Sequence, residues 1–328
     1  MRETDWLIPA IVLTALAGGV ALALIPQASG LLPALAILPA WMACAALMAL
    51  VAGFVHAARM KLPSPSRAAV TWLRDNRRHA LLVAGVMLLA GCNMVAFMWV
   101  KPLLNYLVPF TADPLLARWD AALFMGNDPF QLLGWLAFPA AGLVYHPVWF
   151  GTMIFALLLA LAAKPSPQRS AVLLSYFVLW SLAGPFVHAL LPAAGPIFYE
   201  RMGYGPRFAA LDGGVETRMV ADYLWSIYAA RDFGAGSGIS AMPSMHVTIS
   251  SWVVLVFALF ARRWLWMALV AWAVIFGLSI ALGWHYALDG LVGAALAAGV
   301  YAAALAGMRR VVARRSRGWF AGGLHPAT

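Results

Sequence analysis

The sequence predicts an all-α, polytopic membrane bundle of about eight transmembrane helices with a loop cap on one face. Composition is the first reason. Of 328 residues, 64% are hydrophobic and only 10% charged, and mean hydropathy is +0.84. A water-soluble core of this length cannot hide so many apolar side chains, whereas lipid can take the place of a second protein layer. The second reason is spacing: the apolar residues fall in runs of roughly 20, enough to cross the hydrocarbon core at about 1.5 Å per residue. The third is the uneven placement of charge along the chain.

The expected spans cover residues 6–25, 32–56, 80–100, 143–163, 171–191, 244–261, 264–283 and 287–307, the sixth being the shortest. The first is too long for a cleaved leader and lacks a small-residue cleavage site, so it reads as a span. The apolar piece 129–141 is too short to cross and is expected to be re-entrant or interfacial. Cys44 and Cys92 lie in separate apolar runs, which suggests neither a disulfide framework nor a cysteine zinc site. By this reading residues 1–79 form an N-terminal transmembrane hairpin with its loop, 80–308 a catalytic membrane core, and 309–328 a basic tail.

Charge fixes the orientation. With both termini on one side, that side collects 16 of the 22 lysines and arginines but only 3 of the 12 acids. Basic residues are retained in the cytoplasm, so both termini are expected there, in a cell inner (plasma) membrane. The net charge of +10 is then a topology determinant that touches anionic headgroups, with no nucleic acid partner. Two long segments fall on the outer face: 101–128, and 192–243, the latter rich in glycine, aromatic residues and charge. Long loops in a compact fold are functional or disordered, and eight aromatic residues in the second argue for an ordered cap.

The chemistry-bearing residues converge on that outer face. Of the seven histidines, His56, His79 and His325 lie at or beyond cytoplasmic ends. His146 and His188 sit near outer span ends, where packing or a hydrogen bond explains them better than catalysis. His285 opens the last span, and Asp289, four residues on, shares its helical face and can fix its tautomer. His246 follows Pro243 and Ser244, a plausible helix entry, so it lies in a first turn whose free amides favour an anion. Gly234, Gly236 and Gly238 allow a backbone nest for phosphate. A nucleophilic histidine oriented by a carboxylate, with a second histidine as proton donor, suits two-step phosphoryl transfer through a phosphohistidine. This chemistry requires neither metal nor cofactor.

At these residues the chain resembles the type 2 phosphatidic acid phosphatase superfamily. Pro243, Ser244, Met245 and His246 match its second signature, and His285 with Asp289 its third. The resemblance implies that His285 is the nucleophile, Asp289 its orienting acid and His246 the general acid. It also implies a membrane lipid phosphoester as substrate. The family's glycine before the second-signature histidine is Met245 here, the serine–arginine pair upstream of the nucleophile is missing, and the first signature is absent. That pattern, with Gly195, Pro196 and Tyr199, is similar to the branch of inositol phosphorylceramide synthase. Positive charge must then come from Arg201, Arg207, Arg218, Arg231 or Lys101, with Arg201 the first choice. Ser244, Gly238, Arg201, Arg231 and Arg207 are the expected phosphate-binding set.

A serine protease reading fails because Ala235 replaces the first glycine of the needed turn around Ser237 and Gly238, outside any span. A transporter or scaffold is disfavoured because the ionisable residues gather at one face without an internal repeat. Hydrolase and transferase differ only in whether water or another alcohol reaches the phosphohistidine, and both remain open at this point.

Overall fold

The computed structural model describes residues 2–24, 34–234 and 236–322, with side chains through residue 315. Ile25, the first two residues of the second expected span, Ala235 and His325 therefore lie outside the described residues. All described elements are helical. Among the described residues seven helices are long and apolar enough to cross a bilayer, and Met245–Phe260 is a shorter apolar helix.

In chain order the helices are α1 (Thr4–Leu24), α2 (Ile37–Arg59), a surface helix α3 (Pro65–Asp75) and α4 (Arg77–Leu107). A short helix α5 (Asp113–Leu123) precedes α6 (Ala141–Ala162) and α7 (Pro167–Leu190). After α8 (Gly214–Ala230) come α9 (Met245–Phe260), α10 (Leu265–Ala281) and α11 (Ala287–Gly322). The expected short sixth span is α9. The apolar piece after residue 129 is one helical turn, Pro129–Leu133, and a 3-10 turn, Gly134–Leu136, laid against α10. The loops at 101–128 and 192–243 are ordered by α5 and α8, and α4 runs two turns beyond its expected end.

Apolar runs become helices in lipid because only a helix satisfies its own backbone there. α11 packs on α7 and α9, α1 on α4 and α7, and α2 on α4 and α6. Trp41 of α2 anchors that last contact: its indole donates to the Met87 carbonyl at 2.8 Å and meets Phe150 edge-on. Asn93, fully buried in α4, donates to Thr14 of α1 (3.0 Å) and to Ser181 of α7 (2.5 Å). Such interhelical hydrogen bonds join helices that have no hydrophobic reason to prefer each other over lipid.

Two helices widen locally. Residues Val144–Val148 of α6 and Leu179–Ala183 of α7 are π-helical. Pro147 lies inside the first and Pro185 just beyond the second. A proline cannot donate to the preceding turn and its ring crowds the carbonyl there, so an inserted residue relieves the clash.

One end of the bundle is tied by ion pairs. Arg315, near the end of α11, forks onto Asp5 at 2.6 and 2.8 Å. Arg169, at the start of α7, reaches Glu3 at 2.6 Å and donates to the carbonyls of Ala160 and Leu161, at the end of α6. The start of α1 and the end of α11 thus lie together. His246 and His285 lie at the other end.

Candidate active site

His285 sits in the short link between α10 and α11, and that link is held by hydrogen bonds on both sides. Its own amide donates to the Ser279 carbonyl (3.1 Å). The next three amides are taken by carboxylates: Tyr286 donates to Asp289 (2.8 Å), Ala287 and Leu288 to Asp120 (2.6 and 3.0 Å). The first amides of a helix have no partner within it, so Asp120, reaching across from α5, is a tertiary cap for α11.

The imidazole of His285 is nearly buried, and its Nδ1 donates to the Ala241 carbonyl at 2.8 Å. Asp289 Oδ2 lies 3.5 Å from the same nitrogen, beyond the ~2.6–3.2 Å reach of a good hydrogen bond. The expected His–Asp pair is therefore present as neighbours, while a backbone carbonyl accepts the Nδ1–H hydrogen bond. Asp289 falls short because its Oδ2 is already drawn to the Tyr286 amide. The outcome for the ring is the same: a proton fixed on Nδ1 leaves the Nε2 lone pair free. Burial pushes the pKa of His285 down to about 3, helped by the charge of Lys101 and opposed by the bond to Ala241, so the ring stays neutral.

His246 lies in the first turn of α9, its ring centroid 6.5 Å from that of His285. It is boxed by the π-helical turn of α6 and the residue after it: Tyr145 stacks on it at 4.2 Å, Trp149 lies tilted over it at 4.1 Å, and His146 meets it edge-on at 5.2 Å. The Trp149 indole also donates to the His246 carbonyl at 3.0 Å. His246 Nε2 is buried and has no protein partner among the described residues.

The close approach of α9 and α11 depends on Gly293, where a Cβ would come within 3.0 Å of the Ser244 carbonyl and closer still to Thr248. Ser244 caps α9, its hydroxyl accepting from Val247 (3.4 Å), and its amide donates to the Asp289 carbonyl (3.1 Å). Its side chain is fully buried and spent on this joint, so it does not face the cavity.

The rings of His246 and His285 open into a cavity of about 630 Å³. Its polar end holds Lys101, His146, Ser237, Gly238 and Ser240. Its apolar end runs between Ile37, Met94, Phe97, Met98, Phe150 and Trp180. Gly238 has φ +94°, and a Cβ there would meet the Pro102 nitrogen at 2.8 Å and Lys101 Cγ at 2.9 Å. Its hydrogen lets the glycine loop lie on α4 beside Lys101. Asn105 locks that register by exchanging two hydrogen bonds with the Ile239 backbone (2.6 and 2.7 Å), and His188 adds one to Ser240 (3.1 Å).

The expected arginines are elsewhere. Arg201 pairs with Asp222 at 2.5 Å on the exposed cap, over the Trp225 ring. Arg207 forks onto Asp128 (2.7 and 3.1 Å) and also donates to the Ala117 carbonyl; its pKa rises through the hydrogen bond to Asp128. Arg218 pairs with Asp212. Arg231 closes α8 in a left-handed conformation and is exposed. None of the four lines the cavity, because each lies on the cap, three of them held there by a nearby acid. Among the described residues that line it, Lys101 is the only lysine or arginine.

A family profile described as the PAP2 superfamily matches residues 114–303, more than half of the chain. The chain belongs to the PAP2 superfamily. No curated protein and no solved structure matches it. As a PAP2-superfamily protein it is a membrane enzyme of the lipid phosphatase and phosphotransferase type. The matched region runs from α5 into the first half of α11 and so includes His246, His285 and Asp289, whereas α1, α2 and Lys101 precede it.

Several residues that line or support the cavity of this PAP2-superfamily protein were not expected there. His146 was expected to be packing, yet the π-helical turn presents it to the cavity. Asp113 and Asp120 lie seven apart on one face of α5, and two acids in so apolar a setting were a readable signal of buried partners. The Ala241 carbonyl had no side-chain signal at all.

Proposed function

We propose that this enzyme transfers a phosphate-bearing head group between lipid-linked alcohols through a phosphohistidine on His285. The observation that carries this reading is the arrangement of the two rings. Both line one cavity with centroids 6.5 Å apart, His285 keeps its proton on Nδ1 through the Ala241 carbonyl, and His246 Nε2 has no partner among the described residues.

In the first step the Nε2 lone pair attacks phosphorus. The P–O bond to the departing alcohol breaks, and His246 gives that oxygen a proton. The negative phosphate between the rings draws this proton onto His246 beforehand, offsetting the burial that disfavours it. In the second step an acceptor hydroxyl attacks phosphorus, His246 takes its proton, and the P–N bond breaks. Lys101 holds the non-bridging oxygens.

Two features favour head-group transfer over hydrolysis of a monoester. A single lysine balances the one charge of a phosphodiester better than the two of a phosphomonoester. The apolar lining from Ile37, Met94, Phe97, Met98, Phe150 and Trp180 suits an acyl chain. The branch similarity of Pro243–His246, His285–Asp289 and Gly195–Tyr199 to inositol phosphorylceramide synthase points the same way. The bias of 16 basic residues against 6 supports cytoplasmic termini and an outward-facing site.

The test is to incubate purified protein in liposomes with a head-group-labelled phosphodiester lipid, with and without a lipid alcohol. Label moving to the alcohol supports the reading. Release to water at an unchanged rate with acceptor present makes it a plain phosphohydrolase.

A further inference from the structure

The proton on His285 Nδ1 is fixed by the Ala241 carbonyl, and the amide of that same residue pairs with a segment held by a buried acid. Asp113, fully buried at the start of α5, accepts from the amides of Ala194 (2.9 Å) and Gly195 (2.8 Å). The same segment accepts the Ala241 amide through the Ala193 carbonyl at 2.8 Å. The other side of that residue, the Ala241 carbonyl, accepts from His285 Nδ1 at 2.8 Å.

We propose that Asp113 is a positioning residue that sets the tautomer of His285 through this backbone relay. The proposal rests on His285 being the nucleophile. It assigns to Asp113, from a different helix and through the chain, the part that Asp289 at 3.5 Å fills only weakly.

Two further observations support the relay. Gly195 has φ +103°, and a Cβ there would run into the Trp284 carbonyl, next to His285. The segment is thus seated directly against the link that carries the nucleophile, and Ile197 donates to the Gly283 carbonyl at 2.9 Å. Asp113 also accepts from the Tyr286 hydroxyl at 3.0 Å, so one carboxylate touches both the relay and the residue after the nucleophile. Helix α5 therefore serves the site with both its acids: Asp120 caps α11 from below His285, and Asp113 fixes the acceptor beside it.

Three variants of the full-length protein in detergent test this. With ¹⁵N-histidine labelling, the signal lost in His285→Asn identifies the ring, and its nitrogen shifts report which nitrogen is protonated without any turnover. The wild type is expected in the Nδ1–H form. Asp113→Asn keeps the shape but turns an amide NH₂ toward one donor, so it should populate both tautomers. Its kcat is expected to fall about tenfold, a loss of roughly one hydrogen bond, with KM within about twofold and melting temperature nearly kept. Tyr286→Phe removes only the hydroxyl bond and should leave the tautomer unchanged.

A wild-type ring protonated on Nε2 overturns the relay, whatever the variants do. So does an Asp113→Asn protein with a single Nδ1–H form and wild-type kcat. If Asp113→Asn does not fold, Tyr286→Phe decides: a shifted tautomer there means that Asp113 acts through Tyr286 and not through Ala241. Activity retained by His285→Asn sinks the nucleophile assignment instead, which is a separate outcome.

Discussion

His285 donates its Nδ1 proton to the Ala241 carbonyl at 2.8 Å, while Asp289 stands 3.5 Å from the same nitrogen. Ring orientation thus depends on the backbone first and on the acid second. Asp289→Asn is expected to keep measurable activity, falling about ten- to a hundredfold, whereas His285→Ala loses ~10⁴-fold or more. Steady-state kinetics on one phosphodiester lipid compares them; equal losses make Asp289 the true orienting partner.

The unpartnered His246 nitrogen has a different signature. A general acid is worth ~10²–10⁴-fold when the leaving group is a poor one. His246→Ala should lose about that much on a lipid alkoxide and far less on an activated aryl ester. An equal loss on both substrates assigns His246 to phosphate binding.

Lys101 is the cation that the cavity offers. Lys101→Met removes a charge-assisted hydrogen bond, so kcat/KM should fall about ten- to a hundredfold, with Lys101→Arg restoring part of it. Substitution of Arg201 or Arg207 should change kcat/KM by less than about threefold, since both are engaged on the cap. A larger loss for Arg201→Ala than for Lys101→Met reverses the assignment.

These residues mark where the sequence was legible and where it was not. The spans could be read because an apolar run in lipid has only the helix available to it. That His246, His285 and Asp289 come together could be read, because spacing put the last two on one turn and both histidines at helix starts of one face. The cation could not, because an arginine in a charged loop and a lysine in an apolar run carry no record of which way they point. Lys101 reaches the cavity only since α4 extends past its apolar stretch. His146 is presented by a widened turn that periodicity does not encode, and Asp113 acts through a segment some 80 residues away.

Acid stability follows from the buried ring. The pKa of His285 lies near 3 in the fold against an ordinary 6.5. Above 6.5 neither state is protonated, and its contribution is fully present. As pH falls from 6.5 toward 3 the unfolded chain takes up a proton that the folded one refuses, so stability is lost in that window. Melting temperature between pH 7.5 and 4.5 should fall more steeply for the wild type than for His285→Asn. Parallel curves contradict this.

Phosphorus is expected to be bound to His285 Nε2 during turnover. The most direct measurement is rapid acid-free quenching with a phosphorus-labelled phosphodiester lipid, followed by mass spectrometry of the peptide that carries the label. An acid-labile, base-stable adduct is expected on the peptide containing His285, absent from His285→Ala and accumulating in His246→Ala when an activated substrate is used. Label on any other residue, or full turnover by His285→Ala, contradicts it.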